Sequence, residues 1–226
     1  HFFHIMGASV PTILMNFSGI YPAEGFLPDG AEILDFTSLE GGCCYCDSEA
    51  ASAIRDAIGP YSARGVHWLD SGDYHYASLF WLEKIDSPFC LALFDNHPDN
   101  QPAAFGSPLL SCGSWVLEAQ KLPMLQAFLH IRRADDICGL PASLPVYLSI
   151  DKDVLNRDSA RTDWDQGTMT LEELRGALAA VAEGKCIAGV DVCGELTPGK
   201  GAVDTDLITN RRTNDILQGI LLNLMD

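Results

Sequence analysis

At positions 93 to 100 the chain reads LFDNHPDN, which sets Asp95, His97 and Asp99 at every second residue behind an apolar run. In extended backbone, alternate side chains point the same way, so two carboxylates and an imidazole would converge. Like charges held that close repel, and burying them unpaired costs several kcal/mol each. A bound cation is the economical explanation. The alternative is a polar turn, since Asp, Asn and Pro are good turn formers.

Similar residues follow other apolar runs. His75 of SGDYHY comes after GVHWLD, Asp151 and Asp153 of DKD come after VYLSI, and Glu195 of CGELTP comes after CIAGVDV. Four Asp and two His are too many donors for one ion, but enough for two if carboxylates bridge. Oxygen-rich ligands with a minority of imidazole favour Mn²⁺ or a similar divalent ion over a thiolate-type zinc site. Two such ions about 3.5 to 4 Å apart can hold a bridging hydroxide and present it to an electrophilic carbon, so hydrolysis is the expected chemistry.

The elements that must position these residues can be read from hydrophobic patterning. Runs at 12–17, 32–36, 65–70, 89–94, 127–131, 146–150 and 186–192 predict strands. Segments 49–59, 76–85, 114–122, 170–184 and 204–224 predict helices. The helix from 170 has Thr170 as N-cap, Glu173 at capping-box spacing and Gly184 near its end. This alternation implies a single α/β domain over residues 1–226, with a mainly parallel sheet covered on both faces. Such sheets bind ligands beyond the carboxyl ends of their strands, where all the candidate residues fall.

Composition narrows the partners. A formal net charge of −17 with 14 Lys plus Arg argues against nucleic acid or an anionic membrane, and permits a cationic small-molecule substrate. No run of about 18 apolar residues predicts a spanning helix, and a cytoplasmic location is expected. Eight Cys are too sparse for a disulfide scaffold. Cys90 and Cys186 read as core residues, and Cys43, Cys44 and Cys46 as a reduced loop without a fourth ligand nearby. His1, His4, His67 and His130 are expected to be structural, and the apolar segment before Pro11 to lead into a strand.

Together the motifs resemble those of the arginase/agmatinase (ureohydrolase) superfamily. DNHPD resembles its Asp-x-His-x-Asp signature, SIDKDVL its Ser-x-Asp-x-Asp strand end, SGDYHY a variant of Gly-Gly-Asp-His, and GELTP the late Glu-x-x-Pro segment. The resemblance implies a three-layer αβα sandwich and two Mn²⁺ ions bridged by Asp95 and Asp151. His75 and Asp99 would complete one site, and His97 and Asp153 the other. Asp99 would also accept a hydrogen bond from the bridging hydroxide, and Glu195 would face the substrate. The implied activity is hydrolysis of a C–N bond in a guanidino, amidino or related amide compound, and homo-oligomers occur among relatives.

Three features depart from the family pattern. One residue is inserted between Asp73 and His75. Cys112-Gly113 stands where relatives with guanidino substrates often carry His-Gly, so a thiol would replace a proton shuttle or simply fill space. The segment after DKD is replaced by VLNRDSARTDWDQGTM, which brings Arg161 and Trp164 toward the pocket rim. Two rivals follow: a mononuclear zinc deacylase resembling histone deacetylases, and a non-catalytic arginase-like protein that binds metal or a small ligand.

Overall fold

The computed structural model describes residues 10–102 and 109–226; His1 and His4 lie outside the described residues. Its strands are β1 (Thr12–Asn16), β2 (Glu32–Asp35), β3 (Tyr45–Cys46), β4 (Val66–Trp68), β5 (Phe89–Phe94), β6 (Leu110–Ser111), β7 (Leu125–Ile131), β8 (Val146–Asp151) and β9 (Ile187–Cys193). Its helices are α1 (Ile20–Glu24), α2 (Ser48–Ile58), α3 (Ala77–Leu82), α4 (Trp115–Ala119), α5 (Leu171–Ala182) and α6 (Asp204–Met225).

All seven apolar runs become strands of one sheet, in the order β2-β1-β4-β9-β8-β5-β7, and every pairing is parallel. The central strands β5 and β8 are buried along their whole length, as a sheet covered on both faces requires. Their alternate side chains feed two separate cores. Ala92, Phe94, Leu148 and Ile150 pack with α1, α5 and α6 on one face. Leu91, Leu93 and Tyr147 pack with α2, α3 and α4 on the other, giving three αβα layers.

Local chemistry sets the element ends. Asp47 caps α2 by accepting from Ala50 N at 2.8 Å. Thr170 caps α5 reciprocally: its hydroxyl accepts from Glu173 N at 3.1 Å while its N–H donates to Glu173 Oε2 at 2.7 Å. Two elements escape the hydrophobic pattern, the short α1 and the antiparallel β3–β6 ribbon, whose strands have two residues each. Cys90 is buried as expected, but Cys186 is exposed, because β9 starts one residue later. No helix among the described residues is long and apolar enough to cross a membrane.

Candidate metal centre

The four adjacent central strands β4, β9, β8 and β5 end at one place, and their following turns carry the polar residues. The residue inserted before His75 is absorbed in a 3₁₀ turn over Gly72–Tyr74, which delivers the imidazole to the sheet edge. Asp151 ends β8 and its carboxylate accepts from Asp153 N at 2.8 Å, which fixes that carboxylate at the start of the turn. Behind β5, His97 N donates to Asp95 Oδ1 at 2.5 Å and Asn96 N to Asp153 Oδ1 at 2.8 Å, tying the two loops together.

The six predicted ligands meet in two groups that share Asp95. In the first, His75 Nδ1 lies 3.3 Å from Asp95 Oδ2 and 3.0 Å from Asp99 Oδ2, with Asp151 Oδ2 at 3.6 Å. In the second, His97 Nδ1 lies 2.6 Å from Asp153 Oδ2 and 3.7 Å from Asp95 Oδ1. All four carboxylates are buried, and among the described residues no Lys or Arg pairs with them. Burial and repulsion show in the titration of Asp95 and Asp151. Burial, then the Asp99 charge, raises Asp95 well above the usual carboxylate range. Burial and Asp153 push Asp151 up to about 7. Burial opposes a charged His75 ring, but Cys193 and then the Asp95 and Asp99 carboxylates prevail and raise it well above its ordinary value.

These donors fit divalent cations. His75 Nδ1 and Asp95 Oδ2 are buried without a hydrogen-bond partner, aimed into the same space. The His75 ring is oriented from behind: Ser149 Oγ lies 3.0 Å from Nε2 and donates to Asp191 Oδ1 at 2.7 Å. A proton held on Nε2 toward Ser149 leaves the Nδ1 lone pair for an ion. Trp115 Nε1 likewise donates to Asp99 Oδ2 at 2.8 Å, and the Cys193 thiol to Asp151 Oδ2 at 3.2 Å.

Glu195 occupies a different place from the one expected for it. It is fully buried, 2.5 Å from Lys152 Nζ, and accepts from Asn210 Nδ2 at 3.0 Å and Asn214 Nδ2 at 2.8 Å. Its carboxylate is spent on this network, and it does not line the pocket. Arg161 also turns away, toward Asp206 on α6 at 3.3 Å. Trp164 does form the rim: a Cβ added at Gly72 would meet Trp164 Cδ1 at 2.8 Å. The pocket, about 420 Å³, opens over the carboxylates and is lined further by Cys44, Tyr45, Gln101, Ser111, Cys112 and Trp164. Burial pushes the Cys112 thiol up to about 12, so it stays protonated at neutral pH. His67 is structural, stacked on Trp81 with ring centroids 3.6 Å apart, and His130 binds the Asp95 carbonyl through Nε2 at 2.8 Å.

The chain is 34% identical over 200 residues to an uncharacterised protein of Thermotoga maritima, covering 82% of this chain and 80% of that one. The two belong to one family. No family model matches the sequence. Among solved structures, proclavaminate amidino hydrolase from Streptomyces clavuligerus superposes with a TM-score of 0.69 at 15% identity, covering 96% of this chain and 92% of that one. Arginase from Medicago truncatula gives a TM-score of 0.69 at 13% identity, with 97% and 88% covered. The chain has an arginase-like fold. The Lys152–Glu195 pair, the Gly72–Tyr74 turn, and Cys112 and Trp164 in the pocket lining are local features in which this site departs from the pattern its motifs suggest.

Proposed function

We propose that this protein is a metal-dependent hydrolase of carbon–nitrogen bonds in guanidino, amidino or related amide compounds. Two divalent ions, Mn²⁺ foremost, would be held by His75, Asp95, His97, Asp99, Asp151 and Asp153. The observation that carries this reading is the pair of donor groups, His75/Asp95/Asp99 and Asp95/His97/Asp153, sharing Asp95 beneath the pocket. The amidino hydrolase and the arginase among the structural neighbours support the same class. Bound ions would supply Lewis-acid charge and an acidified water.

The chain's own residues do the rest. Asp99, steadied by Trp115, offers a carboxylate oxygen as hydrogen-bond acceptor at the floor. Tyr45 and Trp164 offer aromatic faces on which a planar cation can lie. Cys112, protonated at neutral pH, serves as a weak donor rather than a base. No Lys or Arg lines the pocket among the described residues, which favours a cationic or neutral substrate.

The test is elemental analysis after dialysis against Mn²⁺, for wild type and Asp95→Asn, followed by urea and ammonia release from a panel of guanidino, amidino and amide compounds. About two ions per chain, lost in the variant, with turnover of one compound class is the expected result. One zinc would point to the deacylase, and two ions with complete silence to a binding protein. Absence of bound metal in wild type would overturn the proposal.

A further inference from the structure

A third group of donors lies on the pocket wall. Cys43, Cys44 and Asp73 bring their two sulfurs and a carboxylate oxygen within 4.8 Å of one another. Consecutive residues in extended chain point opposite ways, so two adjacent thiols converge only if the backbone turns. It does: Cys44 has φ of 57°, in the left-handed region that residues with a Cβ rarely adopt. The turn places Cys44 on the pocket wall, while Cys43 Sγ comes to 3.7 Å from Asp73 Oδ2. A tetrahedral ion with sulfur at about 2.3 Å and oxygen at about 2.1 Å sets such neighbouring ligands roughly 3.6 Å apart.

Asp73 is prepared for a cation. Trp164 Nε1 donates to its Oδ1 at 3.1 Å, which leaves Oδ2 facing the thiols. A cation already sits there, the Lys200 ammonium, 2.5 Å from Asp73 Oδ2 and 3.4 Å from Asp163 Oδ2. Lys200 is 42% exposed and can withdraw into solvent. Cys112, bonded through its N–H to the Cys44 carbonyl at 2.9 Å, adds a further thiol to the same wall.

We propose that Cys43, Cys44 and Asp73 bind a thiophilic divalent cation such as Zn²⁺ or Cd²⁺, separate from the carboxylate centre. Binding releases the two thiol protons to solvent, moves Lys200 off Asp73 and leaves the fourth position to water. Because Cys44 lines the pocket, an ion there narrows the approach to the carboxylates. The proposal does not depend on the hydrolase assignment.

The test is titration of the reduced full chain with Cd²⁺, following thiolate-to-cadmium charge-transfer absorption, for wild type, Asp95→Asn, Asp73→Asn and the double variant Cys43→Ser/Cys44→Ser. Circular dichroism controls for folding. One equivalent should give the band in wild type and in Asp95→Asn, with none in the double variant. Asp73→Asn should weaken binding at least about tenfold, the lower end of what even an outer-shell partner is worth. A band that survives in the folded double variant, or none in wild type, would overturn the site. If the double variant fails to fold, a band that persists unweakened in folded Asp73→Asn overturns it equally.

Discussion

Lys152 Nζ and Glu195 Oε1 stand 2.5 Å apart with both side chains withdrawn from solvent, and Asn214 bonds to both partners. Lys152 lies between the candidate ligands Asp151 and Asp153, in the turn that follows β8, but points the other way, toward Glu195. Removing one member strands a buried charge. Lys152→Met should cost about 3–5 kcal/mol in urea unfolding, and Lys152→Met/Glu195→Leu should recover most of it. If the single variant loses under about 1 kcal/mol, in the range of an exposed pair, the network is not holding the charge.

Ser149 and Asp191 face each other across the β8–β9 pairing, and their hydrogen bond fixes the ring of His75. Ser149→Ala should therefore weaken Mn²⁺ binding about 10- to 100-fold, measured by calorimetric titration, while far-ultraviolet dichroism stays unchanged. Unaltered affinity would mean that the ring is oriented by its carboxylates alone.

Gly194 has φ of 94°, and a side-chain carbon there would collide with Asp151 Oδ1. Gly194→Ala should displace that carboxylate and lower both the bound-metal stoichiometry and the melting temperature. Retention of full stoichiometry would show that Asp151 is not held where the structure places it.

His67 gives an acid limit to stability that involves no ligand. Burial pulls it from 6.5 down to about 3, so the folded protein keeps the ring neutral while the unfolded chain protonates near 6.5. Protons then favour the unfolded state as pH falls from 6.5 toward 3, and that part of the stability is lost across this window. His67→Phe, which keeps a ring against Trp81, should flatten the decline in urea midpoints over that range. An identical slope in both proteins would assign the decline to other groups.

The sequence was legible wherever one chain segment carried the signal. The runs FCLALF and VYLSI become the buried strands β5 and β8, since only a doubly covered sheet accommodates such apolar stretches. The six donors at the strand ends were visible for the same reason. What stayed hidden depends on segments meeting. Ser149 and Asp191 are 42 residues apart and become partners only through strand register. Asn210 and Asn214 look like surface positions of a polar helix until α6 turns them onto Glu195. That burial is why Glu195, placed at a substrate by its motif, lies elsewhere. The Cys43–Cys44 turn lacked a further donor in sequence because Asp73 arrives from the loop after β4.

The chain order of the Glu195 network bears on synthesis. A nascent chain exposes Asp153, the last of the candidate ligands, well before the amides that quiet Glu195, which follow at 210 and 214 in the first half of α6. Until those residues leave the ribosome, the completed row of central strands holds a carboxylate with Lys152 beside it and both amide partners missing. Helix α6 therefore completes the Glu195 network last, and truncation before residue 210 would yield a polypeptide that has every candidate donor yet leaves Glu195 without its amides.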